Sequence, residues 1–215
     1  MNRRKAMAIA AGVIAGGGAG LLTLTNAFKP EIMFDNEPHK LQHNQGEDDW
    51  KYSHLDPAVI AELAYKYYTE GSCMYATVKS IISQLAEKIG EPFKSFPIHL
   101  FKYGHGGVGG YGSICGALNG SAALIGLLVS DSSVRDKMIT DVFQWYEVEP
   151  LPRFNPQNSS YDHIPVTSVS QSILCHASNT NWCKVSGFKV NSNERKERCR
   201  RMTSDVAKKV TISLN

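Results

Sequence analysis

Five cysteines, Cys73, Cys115, Cys175, Cys183 and Cys199, are the side chains of this sequence best equipped for chemistry. Thiols can close into disulfides, cycle as dithiols, or give up their protons to bind a metal. No C-x-x-C pair occurs, so no compact metal or redox signature selects among these uses. An odd number leaves one thiol over in any full disulfide pairing. Cys115 follows the glycine-rich stretch Gly104–Gly112 and precedes the small residues Gly116, Ala117, Gly120, Ala122, Ala123 and Gly126. Glycine permits positive φ and close approach of backbones, so this stretch reads as a loop that brings Cys115 against another group.

Two other chemistries fit less well. Gly112-Ser113-Ile114-Cys115-Gly116 sets a nucleophile between glycines but is not G-x-S-x-G, and no sheet is read to support such an elbow. Covalent haem attachment needs C-x-x-C-H. The nearest match, Ser172-Ile173-Leu174-Cys175-His176, has serine in place of the first cysteine, so c-type haem is not expected. No catalytic residue is assigned, and whether the protein is an enzyme stays open. His39 and His43, spaced i, i+4, and His105 in the glycine loop read as solvated histidines.

The elements that must position the cysteines are helices. Asp56 with Pro57 makes a capped helix start, Val59, Ile60, Leu63, Ala64 and Tyr67 form a stripe, and Gly71 ends it. A second helix from Ser72 carries Met74, Val78, Ile81, Ile82, Leu85 and Ile89, with Cys73 in its first turn, and ends at Gly90 and Pro92. The Cys115 helix runs to about Val129, and another starts near Asp131. A short helix is expected around Ser168 to His176. The last helix starts at Ser192 and turns Cys199 inward with Met202, Val206 and Val210. Cys73 and Cys115 thus fall at helix N-termini, where unpaired N–H groups and the helix dipole stabilise a thiolate. Trp145, Tyr146, Trp182, Tyr65, Tyr67 and Tyr68 read as core or interface. Residues 91–113 and 147–166 are irregular connections. The expected fold is all-α, a single compact domain of five or six helices with long irregular loops.

Residues 1–27 have the layout of an export signal, with Arg3, Arg4 and Lys5 ahead of an uncharged Ala/Gly-rich stretch. The paired arginines resemble a twin-arginine signal, and Thr25-Asn26-Ala27 offers the best cleavage site. Residues 28–50 form a polar leader and 51–215 the helical cysteine domain. The expected location is periplasmic, with membrane contact only through an uncleaved signal. Those three charges are the only ones before residue 28; without them 20 basic residues face 20 acidic ones. A nucleic-acid partner is therefore not expected. Residues 184–209 still carry nine basic against three acidic side chains, a concentration suited to an anionic group such as iron held by thiolates.

Cys115-Gly116-Ala117-Leu118-Asn119-Gly120 matches the central element of the redox-active family named for its C-GCAxxG-C-C pattern, which this chain resembles over about residues 50–215. Cys73 matches the leading cysteine, Cys183 the third and Cys199 the fourth. Leu55-Asp56-Pro57, Phe101-Lys102-Tyr103-Gly104, Leu174-Cys175-His176 and Asp205-Val206-Ala207 are similar to the split-Soret cytochromes of that family. Those are exported dimers with c-type haems and an iron–sulfur centre. The resemblance implies a helical scaffold, export and a cysteine-bound iron–sulfur cluster, whose expected role is electron transfer with an unidentified redox partner protein; the small-residue face of the Cys115 helix would suit a homodimer or packing within one chain equally well. Cys73, Cys115, Cys183 and Cys199 are the implied ligands, with Cys175 the spare or the replacement for one. Four ligands equal those of a 2Fe–2S site, which is preferred to 4Fe–4S. A metal-free thiol–disulfide protein and a structural exported domain stapled by disulfides are the competing readings.

Overall fold

The computed structural model describes residues 50–158, 161 and 165–215; the expected export signal, most of the leader, and His39 and His43 lie outside these. Among the described residues there are five α-helices. Helix α1 spans Pro57–Ile89, α2 Gly116–Leu128, α3 Ser132–Val148, α4 Cys175–Ser186 and α5 Asn193–Leu214. The caps follow the sequence. Asp56 accepts the Ala58 N–H with Pro57 at the first helical position, Asp131 accepts from Ser133 and Val134, and the Ser192 hydroxyl accepts from Arg195.

Helix α1 is continuous except at Ser72, whose φ of 66° and ψ of −165° break it where the sequence places its stop and restart. Beyond α1, residues 91–113 hold two 3-10 segments, Phe93–Ser95 and Ile98–Gly104, before the glycine loop. The helix expected at Ser168–His176 is instead a strand followed by the start of α4. Strand β1, Pro150–Leu151, pairs antiparallel with β2, Ser168–Val169. The Asn181 amide holds the Ser170 carbonyl, and the Trp182 indole donates to Val166, fixing the incoming chain on α4.

Helix α1 packs most extensively on α5 and next on α2. Ile81 and Leu85 of α1, Leu118 and Ile125 of α2, Val142 of α3, and Val206 and Val210 of α5 join in one buried core. Gly116 and Gly120 let α2 press onto α1. A side chain at Gly120 would meet the Met74 carbonyl at 3.0 Å, and one at Gly116 the Cys73 sulfur at 2.5 Å. This part of the small-residue stripe therefore packs within the chain. The two ends of the domain are tied together, since the Asn215 side chain accepts from Tyr52 at 2.7 Å and donates to the Leu55 carbonyl at 2.9 Å. Among the described residues no helix is long and apolar enough to cross a membrane.

Candidate metal centre

Helices α2 and α4 start from one point. Ile114 and Leu174 form an antiparallel bridge, with the Cys115 N–H donating to Ile173 at 2.8 Å and the Cys175 N–H to Ser113. This pairing sets a cysteine at the root of each helix, Cys115 as the N-cap of α2 and Cys175 as the first residue of α4. The glycine loop packs beside them. Gly107 has φ +74°, and a side chain there would collide with the Cys175 Cβ. Gly106, with φ +58°, turns its N–H toward the Cys73 sulfur. The break at Ser72 sends α1 past the same spot with Cys73 facing in, and α5 supplies Cys199.

The result is a cavity of about 290 Å³ walled by Cys73, Cys115, Cys175 and Cys199. Cys183 is not among its walls. It lies two helical turns beyond Cys175 on α4, about 12 Å further along the axis, and is partly exposed. The fourth cysteine at the cavity is thus Cys175, and the structure does not bring Cys183 there. All five cysteines are free thiols in this structure. Among the described residues no three His, Cys, Asp or Glu side chains are arranged around a single metal ion. The thiols ring a volume and do not converge on a point.

Asn179, one turn into α4, links two of them. Its amide nitrogen lies 3.4 Å from the Cys175 sulfur, and its oxygen accepts the Cys199 thiol at 3.3 Å. Arg198 is 1% exposed. One of its terminal nitrogens donates to the Ser178 hydroxyl at 2.9 Å, the other lies 3.9 Å from the Cys199 sulfur, and Nε is buried without a partner. The Tyr146 hydroxyl reaches the same Ser178 oxygen at 2.8 Å and lies 3.1 Å from the Met202 sulfur. Arg195, Lys196 and His105 stand at the rim. His176 holds the Gly112 carbonyl through Nδ1 at 2.8 Å, a structural tie.

Burial is the largest influence on the protonation of Cys73, Cys115, Cys175 and Cys183. Cys73 is pushed far above the ordinary thiol range by burial, then by Cys115, Cys199 and Cys175, against the Gly106 N–H. Burial also raises Cys115, although the Tyr146 hydroxyl and the Leu118 and Ala117 N–H groups pull down. The helix-terminal stabilisation expected at Cys115 is therefore present and outweighed. Cys175 is pushed up to about 12 by burial and by Cys115 and Cys199, against Arg195 and Arg198. Burial raises Cys183, with Arg195 and Arg198 opposing it. Thiols held protonated are poor nucleophiles near neutral pH. Burial likewise drives the Tyr68 and Tyr146 hydroxyls upward, with neighbouring thiolates adding to it.

Tyr68, Tyr146, Ser178 and Asn179 escape a sequence reading, and Arg198 shows there only as one of the charges beside Cys199. The two tyrosines sit on apolar stripes, and only the Ile114–Leu174 bridge brings α4 to the cavity. The one available signal is the basic excess around Cys199.

A family profile described as "Putative redox-active protein (C_GCAxxG_C_C)" matches residues 75–212, a span that holds every cysteine except Cys73, two residues ahead of it. The split-Soret cytochrome c of Desulfovibrio desulfuricans is 37% identical over 171 residues. That alignment covers 77% of this chain and 61% of the relative, so the chain spans less than two thirds of the relative's length. A solved structure of split-Soret cytochrome c from Desulfovibrio desulfuricans ATCC 27774, reported to have a novel iron centre, superposes with a TM-score of 0.71. The match covers 77% of this chain and 70% of that one.

Proposed function

Because the chain belongs to the redox-active family of the C_GCAxxG_C_C pattern, we propose that its cavity holds a cysteine-ligated iron–sulfur cluster used in electron transfer. The observation that carries this reading is the convergence of Cys73, Cys115, Cys175 and Cys199 on one cavity. Cys175, the alternative ligand in the sequence, stands at the cavity in place of Cys183.

The residues fit such a group on three counts. Four thiols equal the protein ligands of a 2Fe–2S or 4Fe–4S cluster. They line one cavity of about 290 Å³, which leaves space between the sulfurs for a group of several atoms. The partnerless Nε of Arg198 supplies a buried donor for an anion. Of the two, the 2Fe–2S form is the one proposed. The cluster, when bound, takes up and releases one electron.

This chain's residues do the rest. The Gly106 N–H and the α2 N-terminus offer hydrogen bonds to thiolate sulfur. Asn179 orients Cys175 and Cys199. Tyr68 and Tyr146 close the walls and limit water. The metal-free thiol–disulfide reading is less favoured, since burial holds Cys73, Cys115 and Cys175 above the range of exchange cysteines. The sequence has no C-x-x-C-H, so c-type haem is not carried over from the relative. Export through residues 1–27 to the periplasm, a homodimer and a separate redox partner protein complete the proposal.

Anaerobic purification with iron and acid-labile sulfide assays, and an electron paramagnetic resonance spectrum of the reduced protein, test it. Wild-type protein is expected to hold both elements. Serine at Cys73, Cys115, Cys175 or Cys199 should cut iron content severalfold, whereas Cys183→Ser should keep it. Iron-free wild-type protein purified under these conditions would sink the proposal; equal losses in Cys175→Ser and Cys183→Ser would sink the ligand set.

A further inference from the structure

Arg198 is a full positive charge placed where a charge is costly. It is 1% exposed, and among the described residues it takes part in no ion pair. The neighbouring acid, Glu197, is committed to Arg201 at 2.7 Å and faces away from the cavity with Tyr65. Taking a guanidinium out of water needs an anion and filled hydrogen bonds in return. Arg198 has Ser178, a long contact to the Cys199 sulfur, and an Nε with nothing. A protein tolerates that arrangement when the missing anion comes from outside the chain, and the space beside Arg198 is the four-thiol cavity.

We infer that Arg198 is the internal counter-ion of the group bound in this cavity, and that it sets that group's reduction potential upward. The inference rests on the iron–sulfur reading above. Reduction adds one electron, delivered by an external donor (dithionite in the test below), and so adds one negative charge to the cavity. A fixed buried cation favours the more negative state, so it raises the potential. Arg195 also lies 4.0 Å from the Cys199 sulfur, but it is partly exposed, and solvent and salt screen it. The Ser178 hydroxyl, held between Arg198 and Tyr146, keeps the guanidinium plane fixed against the cavity wall. Arg198 is thus a positioning and electrostatic residue; it is not a ligand.

The test is a redox titration of the purified, iron-loaded full chain, monitored by visible absorption and electron paramagnetic resonance. Arg198→Met is expected to lower the midpoint so that the reduced-to-oxidised ratio at a given potential falls about tenfold, about 59 mV for a one-electron couple. Arg198→Lys, which keeps the charge, should recover most of that shift, and Arg195→Met should move the midpoint less than Arg198→Met. Iron-loaded Arg198→Met with the wild-type midpoint would overturn the assignment while leaving the cluster reading intact. Wild-type protein without iron and sulfide would remove both. Should Arg198→Met not fold, Arg195→Lys protein labelled with 15N at arginine carries the test. Its reduced cluster is expected to show a 15N coupling in pulsed resonance spectra, and absence of that coupling overturns the assignment.

Discussion

Alanine at two glycines of the same helix should act in opposite directions. At Gly126 the α2 backbone is helical and exposed, and an added Cβ would meet nothing within 4 Å. Removing glycine's extra backbone freedom there is worth about 0.5–1 kcal/mol of stability. At Gly116 the same methyl would overlap the Gly104 carbonyl and come within 2.5 Å of the Cys73 sulfur and 3.2 Å of the Met74 nitrogen. Overpacking of this kind costs about 1–3 kcal/mol. Two of the three contacts are backbone atoms, which cannot swing aside, so the upper part of that range applies. Set against a helix gain of at most about 1 kcal/mol, Gly116→Ala should lose about 2 kcal/mol net. The two variants should therefore differ by about 3 kcal/mol. At about 2–4 °C per kcal/mol for a domain of this size, their melting temperatures should lie about 6–12 °C apart. Thermal and urea unfolding of the metal-free proteins measures this directly. Iron loading should also fall in Gly116→Ala, because the methyl displaces Cys73, and stay unchanged in Gly126→Ala. A Gly116→Ala protein that melts at or above wild type and loads iron normally would refute the close packing of α1 on the root of α2.

Asp205 supplies a pH test. Burial lifts its carboxyl to about 6, against donation from the Arg153 N–H at 2.8 Å and from Phe154. The folded state therefore holds this proton more tightly than the unfolded chain, and the stability it contributes is present below about pH 4 and is lost as pH rises through about 6. The two-unit displacement corresponds to at most about 3 kcal/mol. Asp205→Asn should gain on wild type by up to that amount between pH 4 and 7, and parallel stability–pH curves would contradict the reasoning. Ser72 has a backbone conformation that glycine adopts freely and other residues adopt at a cost of about 1–3 kcal/mol. Ser72→Gly is accordingly expected to raise the urea midpoint with unchanged slope, and a drop would show that the hydroxyl matters more than the strain.

Local chemistry in the sequence predicted most of the helices. The Asp56-Pro57, Asp131 and Ser192 starts carry their own caps, so each boundary depends on neighbours in the chain. The break at Ser72 and the inward turn of Cys199 were equally local. The strand at Ser168–Val169 and the start of α4 at Cys175 were not, because both are set by partners far along the chain, Pro150–Leu151 and Ser113–Ile114. The same long-range pairing decides which cysteine reaches the cavity. Cys175 and Cys183 share one helix and look alike in sequence, and only the bridge shows which end of that helix faces Cys115. Arg198 was visible as one charge among many between residues 184 and 209. Arg201 is as deeply buried but paired with Glu197, so what separates Arg198 is burial beside the thiols without a carboxylate, a tertiary property.

The pairing of α1 with α5, clasped by Asn215, has a consequence for the order of events during synthesis. Ribosomes add about 5–20 residues per second, so this chain takes about 10–40 s to complete. For most of that time the apolar face of α1 exists without the helix that covers it. A nascent chain ending before residue 199 can have Cys73, Cys115 and Cys175 but never the fourth wall of the cavity. Closure of the core and completion of the four-thiol site therefore coincide, as a single step that waits for α5 to be made.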